Sequence, residues 1–193
     1  WTSVTNIFLH SAILGTIALG MGMIILTGDI DLSVGSSFVL AGGLTILFFN
    51  KVNSIFLALV MAVLLGAVFG LINGILVGKF RMPAFIVTLA TMLIYRSISQ
   101  YMMNELGQTR YSVDATLSKY QPLFQFGNGN FLTISYIALV FLAVALLLIY
   151  VTTSTKYGKR VYALGSNEKA ALLAGVNVVW TRISVFVLCG ACT

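Results

Sequence analysis

Two of the five acidic residues in this chain, Asp29 and Asp31, stand one residue apart in the turn Gly28-Asp-Ile-Asp31, between two uncharged apolar runs. Charged groups close to long apolar stretches are costly and often functional. Three chemistries suit them. They can cap the following segment as a helix, because carboxylates favour a helix N-terminus. They can line a polar path together with Ser33, or hold a cation where two helices break, as in ion-coupled transporters. Acid-pair hydrolysis fits poorly, since such enzymes use carboxylates on different helices, and neither His-Glu-x-x-His nor Gly-x-Ser-x-Gly is present. No catalytic residue and no metal site is assigned. Cys189-Gly-Ala-Cys192 has redox or metal spacing, but it lies in an apolar run with no other Cys and no His nearby, so it reads as structural. His10 has no acidic or Cys neighbour and is assigned only an outer helix end.

The other chemically marked stretch, Lys156 to Val178, holds four of the chain's eleven basic residues. At 100° per residue, Asn167, Ala170, Ala171 and Ala174 share one flat side of a short helix. Ser166 is the expected cap, Glu168 lies in the first turn where the helix dipole favours an acid, and Gly175 supplies a left-handed stop. Two turns of helix are marginal in water, so flanking spans or a partner must hold them. A flat face of small residues suits insertion into a cleft of another protein. The alternative is an interfacial helix that merely links two spans.

The elements that position these residues belong in a bilayer. The chain has 193 residues, 59% hydrophobic and 8% charged, with a mean hydropathy of +1.01, against roughly a quarter charged in soluble domains. We expect an all-α integral membrane protein, a polytopic transmembrane helix bundle. The net charge of +6 collects at Lys79, Arg81 and the 156–169 stretch beside apolar spans, which reads as topology and excludes a nucleic-acid surface. Runs at 7–27, up to Asn50, 54–78, up to Met103 and 131–153 predict five complete spans, with a sixth beginning after Asn177. Basic loops then fall on one side, the cytoplasmic one. Between them, 104–130 is polar and faces outward, with a short helix expected over 112–120, capped by Ser112. Gly66, Gly70, Gly74 and Gly78 form a ridge almost free of side chains, suited to close packing on a neighbouring helix or to gating. Arg96 either snorkels to the outer interface or faces a pathway. The chain opens on Trp1 without a Met and ends inside an apolar run, so we expect one transmembrane domain, 1–193, cut at both ends.

Three motifs resemble the membrane permease subunits of bacterial ATP-binding-cassette importers for monosaccharides, of the ribose, galactose, xylose and arabinose type. Thr27-Gly-Asp-Ile-Asp-Leu-Ser-Val-Gly-Ser36 is similar to that family's Gly-Ile-Asp-Leu-Ser-Val-Gly signature, and Pro83-Ala-Phe-Ile-Val-Thr-Leu-Ala-Thr-Met92 to its next stretch. Ala163 to Val178 resembles the loop that docks on the ATPase, with Ala170, Ala171 and Gly175 in register with a Glu-Ala-Ala-x-x-x-Gly coupling motif. Lys169 stands at that motif's acidic position, with Glu168 one residue earlier, and Gly165-Ser166-Asn167 replaces Gly-Gly-Asn. The resemblance implies a coupling helix using Gly165, Asn167, Glu168, Ala170, Ala171, Ala174, Gly175 and Asn177. It also implies a second permease subunit, an external sugar-binding protein, and a cytoplasmic ATPase that uses ATP and Mg. The chain itself has no Gly-x-x-x-x-Gly-Lys-Ser/Thr loop, so it is expected to bind no cofactor and to catalyse no covalent chemistry. The implied location is the bacterial inner membrane.

Overall fold

The computed structural model describes residues 2–105, 117–131 and 134–193. Helix α1 (Thr2–Leu26) stops where Gly28 takes φ 81 and the amides of Thr27, Gly28 and Asp29 turn back to the carbonyls of Ile24 and Ile25. The left-handed glycine satisfies carbonyls that the helix end would otherwise orphan. Helix α2 (Val34–Val52) ends at Asn53, also left-handed at φ 55, whose N–H bonds the carbonyl of Phe49. Helix α3 (Ile55–Gly78) and helix α4 (Ala84–Glu105) are joined by the link 79–83, with Pro83 just before the second of them. A single turn of 3-10 helix (Ser118–Tyr120), helix α5 (Gln121–Asn128) and a two-rung hairpin of β1 (Asn130–Phe131) and β2 (Ile134–Ser135) precede α6 (Tyr136–Ser154). Then come α7 (Lys156–Ser166), α8 (Glu168–Leu173) and α9 (Val178–Cys192).

Helices α1, α2, α3 and α6 are long and apolar enough to cross a bilayer. Among the described residues that is one fewer than the five complete spans read from the sequence. Helix α4 has 22 residues, about 33 Å at ~1.5 Å per residue, but Arg96, Ser97, Gln100 and Asn104 dilute its apolar character. Helix α9 is apolar but has only 15 residues. Large apolar side chains on the spans stay uncovered, among them Phe56 at 71% and Leu146 at 59% exposure. On a soluble protein such surfaces would be aggregation sites, whereas a bilayer covers them at no cost.

Between helices in lipid there is little hydrophobic drive, so association depends on close van der Waals contact. The most extensive helix pairing is α3 on α9, made by glycine. A Cβ on Gly66 would overlap the carbonyl oxygen of Gly190, and one on Gly70 that of Phe186. On Gly74 and Gly78 it would lie 3.0 Å from Ile183 Cα and Val179 O. Residues from α1, α2, α3, α4, α6, α7 and α9, including Ile24, Val34, Val77, Val87, Leu148 and Phe186, close into one buried cluster at the end of the bundle that carries the basic links. At the other end Phe49, Ala58 and Tyr120 form a smaller one, and the Tyr120 hydroxyl donates to Asn50 Oδ1 at 2.6 Å. The outer polar segment is thereby tied to the α2–α3 turn. Of the helix expected over 112–120, Ser112 lies outside the described residues, and the nearest full helix begins at Gln121.

Candidate functional site

Three pieces of chain converge where the basic links gather: the break between α1 and α2, the α7–α8 pair, and the start of α9. Thr155 opens α7 by accepting the Gly158 amide at 3.2 Å. Its buried side chains Val161 and Leu164 face the core, while the Tyr157 hydroxyl meets Ser184 Oγ of α9 at 2.9 Å. Burial pushes the Tyr157 phenol up, outweighing the lowering effect of that hydrogen bond, so it stays protonated. At the far end of α7, Gly165 lies so close to α1 that a Cβ would overlap the Leu26 carbonyl oxygen. A helix can approach another backbone this closely only through glycine.

Helix α8 begins one residue later than its sequence implied. Ser166 is the last residue of α7, and Asn167 is the cap, its Oδ1 accepting the Ala170 amide at 3.0 Å. Glu168 lies in the first turn. The stop is Gly175 at φ 80, where the Val176 amide returns to the Ala171 carbonyl at 3.0 Å. Asn177 then caps α9 by accepting the Trp180 amide at 3.1 Å. The four residues read as one flat face divide. Asn167, Ala170 and Ala174 are exposed, but Ala171 is 3% exposed and packs inward. What α8 presents beside them is apolar and large, with Leu172 at 55% and Leu173 at 89% exposure. A small-residue plot shows which residues share a side but not which side meets the core.

The residue that joins these pieces is Arg182 of α9, which the sequence reading left unassigned. Its Nε donates to Asp29 Oδ2 at 2.7 Å and its Nη2 to Glu168 Oε2 at 3.2 Å. One guanidinium therefore spans from the first turn of α8 to the α1–α2 break. Charge-assisted contacts of this kind are about twice as strong as neutral ones. Asp29 and Arg182 are mostly covered and Glu168 is half-exposed, so the Asp29 arm is the stronger of the two. Beside it, Glu168, Leu172, Asn177 and Arg182 line a cleft of about 220 Å³ with Gly78 and Arg81.

Asp31 faces the other way and is buried. Its Oδ1 accepts the Ser33 amide at 2.8 Å and the Ser33 hydroxyl at 2.6 Å. Asn73 of α3 donates through Nδ2 to Ser33 Oγ at 2.8 Å and to Asp31 Oδ2 at 3.4 Å. The Asn73 Oδ1 atom has no partner. Thr88 of α4 donates to the Ile30 carbonyl at 3.3 Å. Neither acid therefore makes a side-chain cap on the first turn of α2; one holds α9 and the other α3. Asp31 stops short of the first turn because its Oδ1 is taken by the amide and hydroxyl of Ser33, the residue that precedes the helix, and Asp29 is held by Arg182.

Residues 3–193 match the protein-family model described as "Branched-chain amino acid transport system / permease component". The chain belongs to this permease family. Among the relatives it resembles are the L-arabinose ABC transporter permease protein AraH of Azospirillum brasilense, 32% identical over 99% of this chain and 54% of that protein. The ribose import permease protein RbsC of Bacillus subtilis (strain 168) is 36% identical over 97% of this chain and 56% of its own. The D-allose transport system permease protein AlsC of Escherichia coli (strain K12) is 32% identical over 98% and 56%. The chain thus spans about half the length of the curated relatives it matches. No solved structure matches it. In this permease chain the motif residues around Asp31 and those around Gly165 lie on one face of the bundle, joined through Leu26, Asp29 and Arg182. Asn73 and Thr88 were missed for a related reason: each lies in a mainly apolar run and bonds a partner 40 or more positions away.

Proposed function

We propose that this chain is part of the permease subunit of an ATP-driven importer that carries a monosaccharide across the bacterial cytoplasmic membrane, with α8 as its coupling helix. The observation that carries the reading is Arg182, holding Glu168 of α8 and Asp29 of the α1–α2 break at once. The sugar class is supported by relatives named for arabinose, ribose and allose. A separate cytoplasmic ATPase, using ATP and Mg, drives α8. An extracytoplasmic binding protein delivers the sugar, and a second permease copy completes a homodimer in lipid.

In this reading the exposed part of α8, with Asn167, Glu168, Ala170 and Ala174, enters a cleft of the ATPase. Ala171 seats the helix on the permease, Gly175 and Asn177 set the turn into α9, and Gly165 carries displacement to the end of α1. Asp29, Asp31 and Ser33 form the inner end of the translocation path. Movement of α8 is passed to Asp29 through the guanidinium and to α3 through Asp31, Ser33 and Asn73. Gly66, Gly70, Gly74 and Gly78 keep α3 and α9 together as one body.

The test uses the full-length permease in vesicles with its ATPase and binding protein, following radiolabelled L-arabinose, D-ribose and D-allose. Uptake of at least one sugar that requires ATP is the expected result. Uptake driven by a proton or sodium gradient in vesicles without the ATPase would overturn it.

A further inference from the structure

Among the described residues nothing neutralises Arg96 of helix α4. Among the described residues both ion pairs involve Arg182, and Arg96 makes none. Arg96 lies nine residues before Glu105, the end of α4, about 13 Å along the axis, and its side chain is exposed. An unpaired guanidinium among apolar helices needs water or hydrogen-bond acceptors around its five N–H groups. Here it lines a groove of about 310 Å³ between α2 and α4, with Ser36 and Gly35 on one wall and Ser99 and Gln100 on the other. Arg96, Ser99, Gln100 and Met103 follow one another at the spacing of a single helix face. The wall is open at Gly35, where a Cβ would meet nothing within 4 Å.

The groove does not end there. A second groove of about 250 Å³ shares Val39, Ser99 and Met103 with it and continues along both helices past Gly43 and Met102. Polar groups at one level thus open into an apolar run toward the outer ends of α2 and α4.

We propose that this α2–α4 groove is a binding subsite for the transported solute, and that the solute is neutral and rich in hydroxyl groups. The proposal rests on the importer reading above. A guanidinium offers five N–H donors, a glutamine amide both donates and accepts, and two serine hydroxyls do the same. That set matches alternating hydroxyls. No acid lines the groove, so a cation would find no counter-charge, and its volume lies at the small end of ligand sites.

The test introduces Ser36→Cys, Ser99→Cys and Gln100→Cys singly into the full-length protein with Cys189 and Cys192 replaced by alanine. Each is reacted in vesicles with a water-soluble thiol reagent, with Ile94→Cys on the exposed opposite face of α4 as the lipid-facing control. The groove cysteines should react at least tenfold faster than the control. Saturating D-ribose, L-arabinose or D-allose should slow them about fivefold or more. In uptake, Arg96→Gln should raise KM about tenfold, as expected for losing hydrogen bonds to a charged donor, while ATPase stimulation is kept, and Arg96→Lys should recover part of it. Groove cysteines no faster than the control overturn the proposal, and so does protection by D-galacturonate alone. Where ATP-driven sugar uptake is intact but none of the three sugars protects, only the subsite fails. Where ATP-driven uptake and protection are both absent, the importer reading fails with it.

Discussion

Arg182 sits in α9, yet both of its ion pairs leave that helix, one for Asp29 and one for Glu168. Its replacement by glutamine removes two contacts to carboxylates, of which the covered one to Asp29 is worth about 1.5–3 kcal/mol and the exposed one to Glu168 about 1 kcal/mol or less. We expect Arg182→Gln to cut ATP-driven uptake about tenfold, the size of a typical coupling free energy, while ATPase still binds. Asp29→Asn should reproduce most of that loss and Glu168→Gln less, since Glu168 is 49% exposed and screened by water. Equal binding and equal uptake in all three variants would remove Arg182 from the transmission. Asn167→Ala deletes the α8 cap and costs about 1 kcal/mol. Amide hydrogen exchange over 168–173 should then speed up about fivefold, and Asn167→Asp should hold it near the original rate.

Among the elements, α3 and α9 are the pair that glycine makes possible. Gly70→Val forces its side chain into the Phe186 carbonyl and leaves no flexible neighbour to yield. Overpacking of this kind costs about 1–3 kcal/mol, so the midpoint of thermal unfolding in detergent should fall by several degrees. Gly42→Ala is the control, because its added methyl meets nothing within 4 Å. An unchanged midpoint for Gly70→Val would mean that the two helices do not pack backbone to backbone. Helix α7 shows how an element escapes a sequence reading. Its inward residues Tyr157, Val161 and Leu164 lie at helical spacing, but four basic residues nearby drew the whole stretch into a single loop. Recognising α7 would also have moved the cap from Ser166 to Asn167.

For the whole molecule, the arrangement of basic links demands one orientation. Leu173, 89% exposed on α8, belongs on the same side as Lys79 and Arg81, while Lys51 in the last turn of α2 belongs on the other. Leu173→Cys should react with an impermeant thiol reagent only in inside-out vesicles, and Lys51→Cys only in right-side-out ones. The reverse pattern would put α8 outside and end its role as a receiver of ATPase motion. The same orientation explains why the large buried cluster lies at the inner end, where α7 and α8 must be held firmly, and the smaller one at the outer end.

What could be read from the residues alone was local: uncharged runs long enough to span, the breaks at Gly28 and Gly175 where only a left-handed residue turns the chain back, and an acid in the first turn of α8. Each depends on neighbours a few positions away, and backbone geometry and the helix dipole act at that range. The packing decided the rest. Whether Ala171 faces in or out, which helix Asp29 holds, and that Asn73 and Thr88 secure the α1–α2 break all depend on surfaces brought together from distant parts of the chain. Asp29 and Arg182 are 153 positions apart; no spacing or periodicity encodes their meeting, because it exists only once α1, α3 and α9 have closed on one another.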